Sequence, residues 1–144
     1  MIEQLSVFLE NKPGRMAEMA RVLGEAGCNM RAFVVADTAE FGVARIIADR
    51  PHAALGALRD AGFSVALTEV IAVEVPDRPG GLAEVLDVLG GAGVNVEYAY
   101  CFVEPNGEVA VDVFRVEDPR TATGALEAAG ISVRPAHDIY ERDS

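Results

Sequence analysis

Tryptophan is missing from this chain, and cysteine and histidine occur only twice each. Cys28 and Cys101 are too few and too scattered for a disulfide framework or a cysteine-rich zinc site. Both read as ordinary buried thiols that pack like small hydrophobes. Basic residues are also scarce, 12 against 23 acidic ones, for a net charge of -11. The imbalance is uneven: residues 1–70 hold seven basic and nine acidic side chains, residues 71–144 five and fourteen. Affinity for nucleic acid rests on clustered Lys and Arg that neutralise phosphates, so no nucleic-acid partner is expected. No apolar run approaches the roughly 20 residues that span a bilayer, and no membrane partner is expected either. The opening MIEQLSVFLE lacks the basic stretch, apolar run and cleavage site of a signal peptide. A hydrophobic content of 51% excludes a disordered chain. The expectation is a soluble, cytoplasmic protein.

What the chain does have is a repeat. NKPGRMAEM at 11–19 returns as DRPGGLAEV at 77–85, and residues 13–29 match residues 79–95 at ten of seventeen positions. GALRDAGFSV at 56–65 returns as GALEAAGISV at 124–133, two residues further out of step. The extra pair falls most simply in the turn around Pro105-Asn106-Gly107. A period this long points to two small domains rather than a solenoid of short repeats. The composition shows no Gly-, Pro- or Ser-rich linker, and the boundary is set at Thr68-Glu69, giving domains 1–68 and 69–144. A domain of about 60 residues buries only about 60% of its unfolded surface, so the halves are expected to share an interface.

Each half spells the same elements. Leu5, Val7 and Leu9 alternate with Ser6, Phe8 and Glu10 as a strand over 3–10. Met16, Met19, Ala20 and Leu23 recur at helical spacing until Gly27. Residues 29–37 and 41–49 form a hairpin linked by Thr38-Ala39-Glu40; Pro51 opens a helix closed by Gly62, and 63–67 is a fourth strand. The second half repeats this with a strand at 71–75 and a helix carrying Leu82, Val85, Leu86 and Leu89 that stops at Gly93. Strands 95–103 and 108–116 then flank Asn106-Gly107, and a helix runs from Pro119 to Gly130 before a last strand at 131–140. The fold class is α+β: two ferredoxin-like βαββαβ domains. Their antiparallel sheets are expected to join edge to edge through the second strands, with the helices on one face. Further association into a homodimer is expected.

That fold hosts many functions, so function has to come from the sites. Tyr98, Tyr100 and Phe102 alternate on one strand, but in the acidic half, which argues against an RNA-recognition surface. The first loop lacks a Cys-x-x-Cys pair. Arg15 and Asn29 leave an acylphosphatase-like enzyme as one alternative. Ser6 lies within a strand with no neighbouring His, His52 sits at a helix start and His137 near the C-terminus. No catalytic residue, metal set or cofactor is expected, and the repeats use all 144 residues.

The Pro-Gly loops have chemistry available. A helix start leaves N–H groups unpaired and partly positive, which suits a carboxylate. Proline fixes the turn and glycine admits a close approach. Asn29 and Asn95, just past the same helices, offer both donor and acceptor for a zwitterion. Spacing alone leaves open a plain turn with Asn as a helix cap.

LENKPGRMAEMARVLGEAGCNM and VPDRPGGLAEVLDVLGGAGVNV both resemble the opening of ACT domains, amino-acid-sensing modules of metabolic enzymes. The resemblance covers nearly the whole chain and implies ligand binding where one domain's loop meets the second strand of its neighbour. It implies contacts from Asn11, Pro13, Gly14, Arg15, Met16 and Asn29, and from Asp77, Pro79, Gly80, Gly81, Leu82 and Asn95. The reading is a non-enzymatic regulatory protein that binds a free amino acid and acts on a metabolic enzyme. The alternative is a regulatory small subunit of the acetolactate-synthase type that works mainly by protein contact. Lys12, Arg15 and Arg31 stand where the second half has Arg78, Gly81 and Glu97, so the first loop is expected to draw a carboxylate more strongly, while Gly81 gives the second loop more room.

Overall fold

A computed structural model describes residues 1–36, 41–103, 109–136 and 138. The predicted turns at Thr38-Ala39-Glu40 and Asn106-Gly107, and His137, lie outside the described residues. The elements are β1 (Ile2–Glu10), α1 (Arg15–Glu25), β2 (Met30–Ala36), β3 (Phe41–Ala48), α2 (Pro51–Asp60) and β4 (Ser64–Pro76), then α3 (Gly81–Gly91), β5 (Val96–Val103), β6 (Val109–Val116), α4 (Pro119–Ala128) and β7 (Val133–Arg134). By contact the chain divides into two compact units, one of Glu3–Thr68 and one of Glu69–Ala136 together with Met1 and Ile2.

The first unit orders its strands β2-β3-β1-β4. Leu5, Val7 and Leu9 of β1 turn one face of the sheet toward Met19 and Leu23 of α1 and Ala54 and Leu58 of α2, all within one buried cluster. The spacing of Met19 and Leu23, one helical turn apart, is what gives α1 its inward stripe. In the second unit the order is β5-β6-β4-β7, and Ile71, Val73, Val75 and Phe114 face Val85, Leu89, Ala122 and Leu126. The repeat extends to irregularities. The β2–β3 ladder shifts register between Met30 and Ala32, and the β5–β6 ladder shifts at the matching place, between Val96 and Tyr98. All four helices end as predicted, at Gly27, Gly62, Gly93 and Gly130 with positive φ.

Two expectations need correction. The strands predicted at 63–67 and 71–75 are one strand, β4, because Thr68-Glu69 contains no residue that breaks a ladder. Within its own unit β2 pairs with β3, and β5 pairs with β6, each as an outer strand. The last strand is also short. It spans Val133–Arg134 opposite Ala72 and Val73, and stops before Pro135, which has no N–H to give a ladder.

Candidate functional site

The first loop is built by β1 running out at Glu10. The Lys12 amide donates to the Glu10 carbonyl at 2.9 Å, and the chain turns through Pro13 into Gly14. Gly14 caps α1 in the left-handed conformation, φ 90° and ψ -15°, and no side chain caps the helix. Its carbonyl accepts the first helical bond from the Glu18 amide at 2.9 Å. The Arg15 N–H turns back to the Lys12 carbonyl at 3.4 Å, and no side chain caps the N–H groups that follow it, which is an arrangement that suits an anion. The second loop repeats each step: Arg78 N–H to Pro76 carbonyl at 2.9 Å, Glu84 N–H to Gly80 carbonyl at 3.1 Å, and Gly80 left-handed at φ 85° with no side-chain cap. By contrast, α4 has its start closed, because Asp118 accepts from the Thr121 amide and hydroxyl at 3.3 and 2.7 Å. Those bonds hold the Asp118 carboxyl below the usual range.

Beside the first loop lies a cavity of about 80 Å³, walled by Glu10, Asn11, Lys12, Met16, Val35 and Gly42 among others. Ligand pockets usually measure several hundred Å³, so this one accepts a fragment of a small molecule and leaves the rest uncovered. Asn11 and Met16 meet in its wall, and Pro13, Gly14 and Arg15 belong to the same loop. Asn29 does not join them. It precedes β2 at the far end of α1, with its N–H bonded to Asp49 Oδ1 at 2.9 Å, and a helix of 11 residues sets the two ends about 16 Å apart. The second unit divides in the same way. Asp77, Pro79, Gly80, Gly81 and Leu82 share the loop, whereas Asn95 lines a different cavity, of about 510 Å³, with Glu117, Asp118 and Thr121. Sequence reasoning missed Glu10, Val35 and Gly42. They reach the loop through the antiparallel register that sets Leu9 against Gly42 and Ala44 against Val35, and the predicted hairpin was the available signal.

The charges differ from expectation. Lys12 pairs with Glu10 at 2.8 Å, holding the Glu10 carboxyl below its ordinary value by hydrogen bond and charge. Arg15 pairs with Glu18 at 2.8 Å, approaches Glu10 at 3.5 Å, and stacks its guanidinium 4.4 Å from the centre of the Phe63 ring. Both cations of the first loop are thus matched by carboxylates. Arg31 sits at the register shift of β2, beside Asn29 rather than in the loop. In the second loop Arg78 pairs with Glu84 at 2.9 Å, leaving Asp77 as the surplus charge. Gly81 opens no room: it is buried, and a Cβ there would stand 2.0 Å from the Pro76 carbonyl oxygen.

The remaining candidates are quiet. Cys28 is buried as expected, but Cys101 is exposed on the outer strand β5. Burial raises both thiols, and at Cys101 the charges of Asp112 and Asp77 act in the same direction, so neither is activated as a thiolate. His52 is mostly exposed and meets Glu3 at 3.1 Å. Ser6 is buried within hydrogen-bond reach of Gln4 and Arg45. No group of three or more metal-ligating side chains occurs among the described residues, and no helix is long and apolar enough to cross a membrane.

Comparison with known proteins agrees with this geometry. A crystal structure of a protein from Bacteroides thetaiotaomicron superposes with a TM-score of 0.91 at 37% identity, over 97% of this chain and 96% of that one. The ligand-free regulatory subunit of aspartate kinase from Thermus thermophilus shares the fold, with a TM-score of 0.68 at 19% identity over 89% and 90% of the two chains. The corresponding subunit from Thermus flavus gives 0.64 at 19% identity, over 89% and 92%. No curated protein matches the sequence. The family model for the ACT domain pair matches residues 1–132, and the chain belongs to that family.

Proposed function

We propose that this chain is a non-enzymatic, cytoplasmic regulatory protein that binds a free amino acid at its two Pro-Gly loops. The observation that carries the reading is the pair of left-handed glycines, Gly14 and Gly80, each at the start of a helix that no side chain caps. The carboxylate of the ligand lies against the early N–H groups of α1 or α3. The second strand of a neighbouring ACT domain completes each site and supplies an asparagine, Asn29 or Asn95. The separation of Asn29 from Gly14 along α1 supports this division, since one domain cannot offer both to a small ligand. The functional domains are 1–68 and 69–144, and two chains associate as a homodimer.

The regulated partner is a metabolic enzyme. The fold shared with regulatory subunits of aspartate kinase supports a role as a dedicated regulatory chain acting by contact with a separate catalytic one. An acylphosphatase-like activity is not favoured, because Arg15 is already held by Glu18 and Phe63. Calorimetry with Gly14→Val and Gly80→Val tests the site. Each added side chain meets nothing within 4 Å of its Cβ, so it fills open space where this reading puts the ligand. Loss of one binding event per variant supports the reading; undiminished binding in both sinks it.

A further inference from the structure

The two units part company one row along from the loops, on the sheet face that carries the helices. In the first unit the register sets Ala44 of β3 against Val7 of β1 on one side and Val35 of β2 on the other. All three are apolar, and Val35 forms part of the wall of the cavity beside the first loop. The matching row in the second unit is Val73, Asp112 and Cys101. Asp112 faces the helices, because Phe114 and Val116 follow it at even spacing and lie in the core with Val85 and Leu89. Its side chain is only 7% exposed, and its carboxylate oxygens keep a narrow contact with solvent. Cys101, directly across from it, is exposed. The charges of both Asp112 and Asp77 act on that thiol and raise it.

A carboxylate so largely withdrawn from water is costly to ionise, and burial has raised its affinity for a proton. The first unit shows that an alanine fits the same row. Three cations of the second unit, Arg78, Arg115 and Arg134, are taken up by Glu84, Glu97 and Glu74. A compact group with several donors and a positive charge is what matches a carboxylate in this setting.

We infer that Asp112 is a specificity-determining residue that receives the side-chain ammonium of an amino acid bound at the second loop, while the first loop, with Ala44 in that place, takes an apolar side chain. The inference rests on the amino-acid-binding reading and adds the chemical class of ligand for each site. An ammonium offers three donors to the carboxylate, and a charge-assisted bond of this kind is strong where water is excluded. Asp77 adds a second negative charge in the same direction. The ligand's carboxylate stays with the helix start, as in the first unit.

The test is calorimetric titration of the intact chain with L-ornithine and L-norleucine, whose side chains differ by an ammonium in place of a terminal methyl. With norleucine in large excess, ornithine is expected to retain one site per chain, about tenfold or more tighter there than norleucine. Asp112→Asn, close in shape, and Asp112→Ala, which restores the residue of the first unit, are both expected to abolish that preference with the thermal transition intact. The wild-type comparison stands even if neither variant folds. Equal affinity for the two ligands in the wild type, or a preference that survives in both variants, overturns the inference and leaves amino-acid binding standing. No binding of any of the twenty amino acids, ornithine or norleucine overturns both.

Discussion

Gly81 sits so close to Pro76 that a Cβ on it would stand 2.0 Å from the proline's carbonyl oxygen. Its counterpart in the first unit is Arg15, which carries a full side chain, so the second loop is the tighter copy of the same turn. Gly81→Ala has to push the backbone of β4 away from α3. The expected loss is about 1–3 kcal/mol, as for other overpacked sites. Gly90→Ala is the control, since a Cβ there meets nothing within 4 Å, and it is expected to stabilise by a few tenths to about 1 kcal/mol. Urea denaturation of both variants reads the difference in sign.

Gly14 and Gly80 need their glycines for a different reason. Both lie in the left-handed region, at φ 90° and 85°, with open space where a side chain would go. Alanine there costs about 1–2 kcal/mol through the backbone alone. Asparagine tolerates that conformation better, so Gly14→Asn should be more stable than Gly14→Ala while still obstructing the ligand. Thermal melts paired with calorimetry separate the two effects. A Gly14→Asn variant that binds as well as wild type would show that the space above the helix start is not used.

Asp112 makes stability depend on pH. Burial raises its carboxyl above the ordinary range, so the folded chain binds this proton more tightly than the unfolded chain. The contribution is fully present below the unfolded value, about pH 4, and is lost as pH rises through the raised folded value. Asp112→Asn removes the dependence, and the variant should gain on the wild type between acidic and neutral pH. Parallel denaturation series without ligand would read this as a growing gap, and a constant gap would contradict it.

Asp118 has the opposite sign. Its bonds to Thr121 hold its carboxyl low, so the stability it lends α4 is present above the ordinary carboxylate range and is lost as pH falls through the lowered folded value. Asp118→Ala is expected to lower the melting temperature at neutral pH and to make little difference in acid. An unchanged melting temperature at neutral pH would mean the cap contributes nothing.

Much of the fold was legible because the chain states it twice. Pro13 and Pro79, Gly27 and Gly93, and the alternation in both strand pairs mark the same elements in each half, and local rules agree with the core they build. The merging of two predicted strands into β4 was less visible, since Thr68-Glu69 breaks nothing but also announces nothing. Pro135 could have shortened the last strand in advance, because proline gives no N–H to a ladder. The site was legible as a loop and not as an environment. That Arg15 would lie over Phe63 is a consequence of packing between distant segments, that Lys12 would turn to Glu10 is one rotamer choice among several, and the separation of Asn29 from Gly14 follows from the length of α1. Asp112 was less visible: its even spacing with Phe114 and Val116 puts it on the inward face, but its place across from Cys101 and Val73 comes from the register.

The central claim is that the chain binds a free amino acid, and a thermal-shift screen against the twenty amino acids tests it most directly. A ligand present at about 100 times its dissociation constant adds about 2.7 kcal/mol to the folded state, enough to move the transition by several degrees. The account predicts such a shift with one or a few amino acids, diminished in Gly14→Val and Gly80→Val. An unmoved transition with all twenty at millimolar concentration would contradict it.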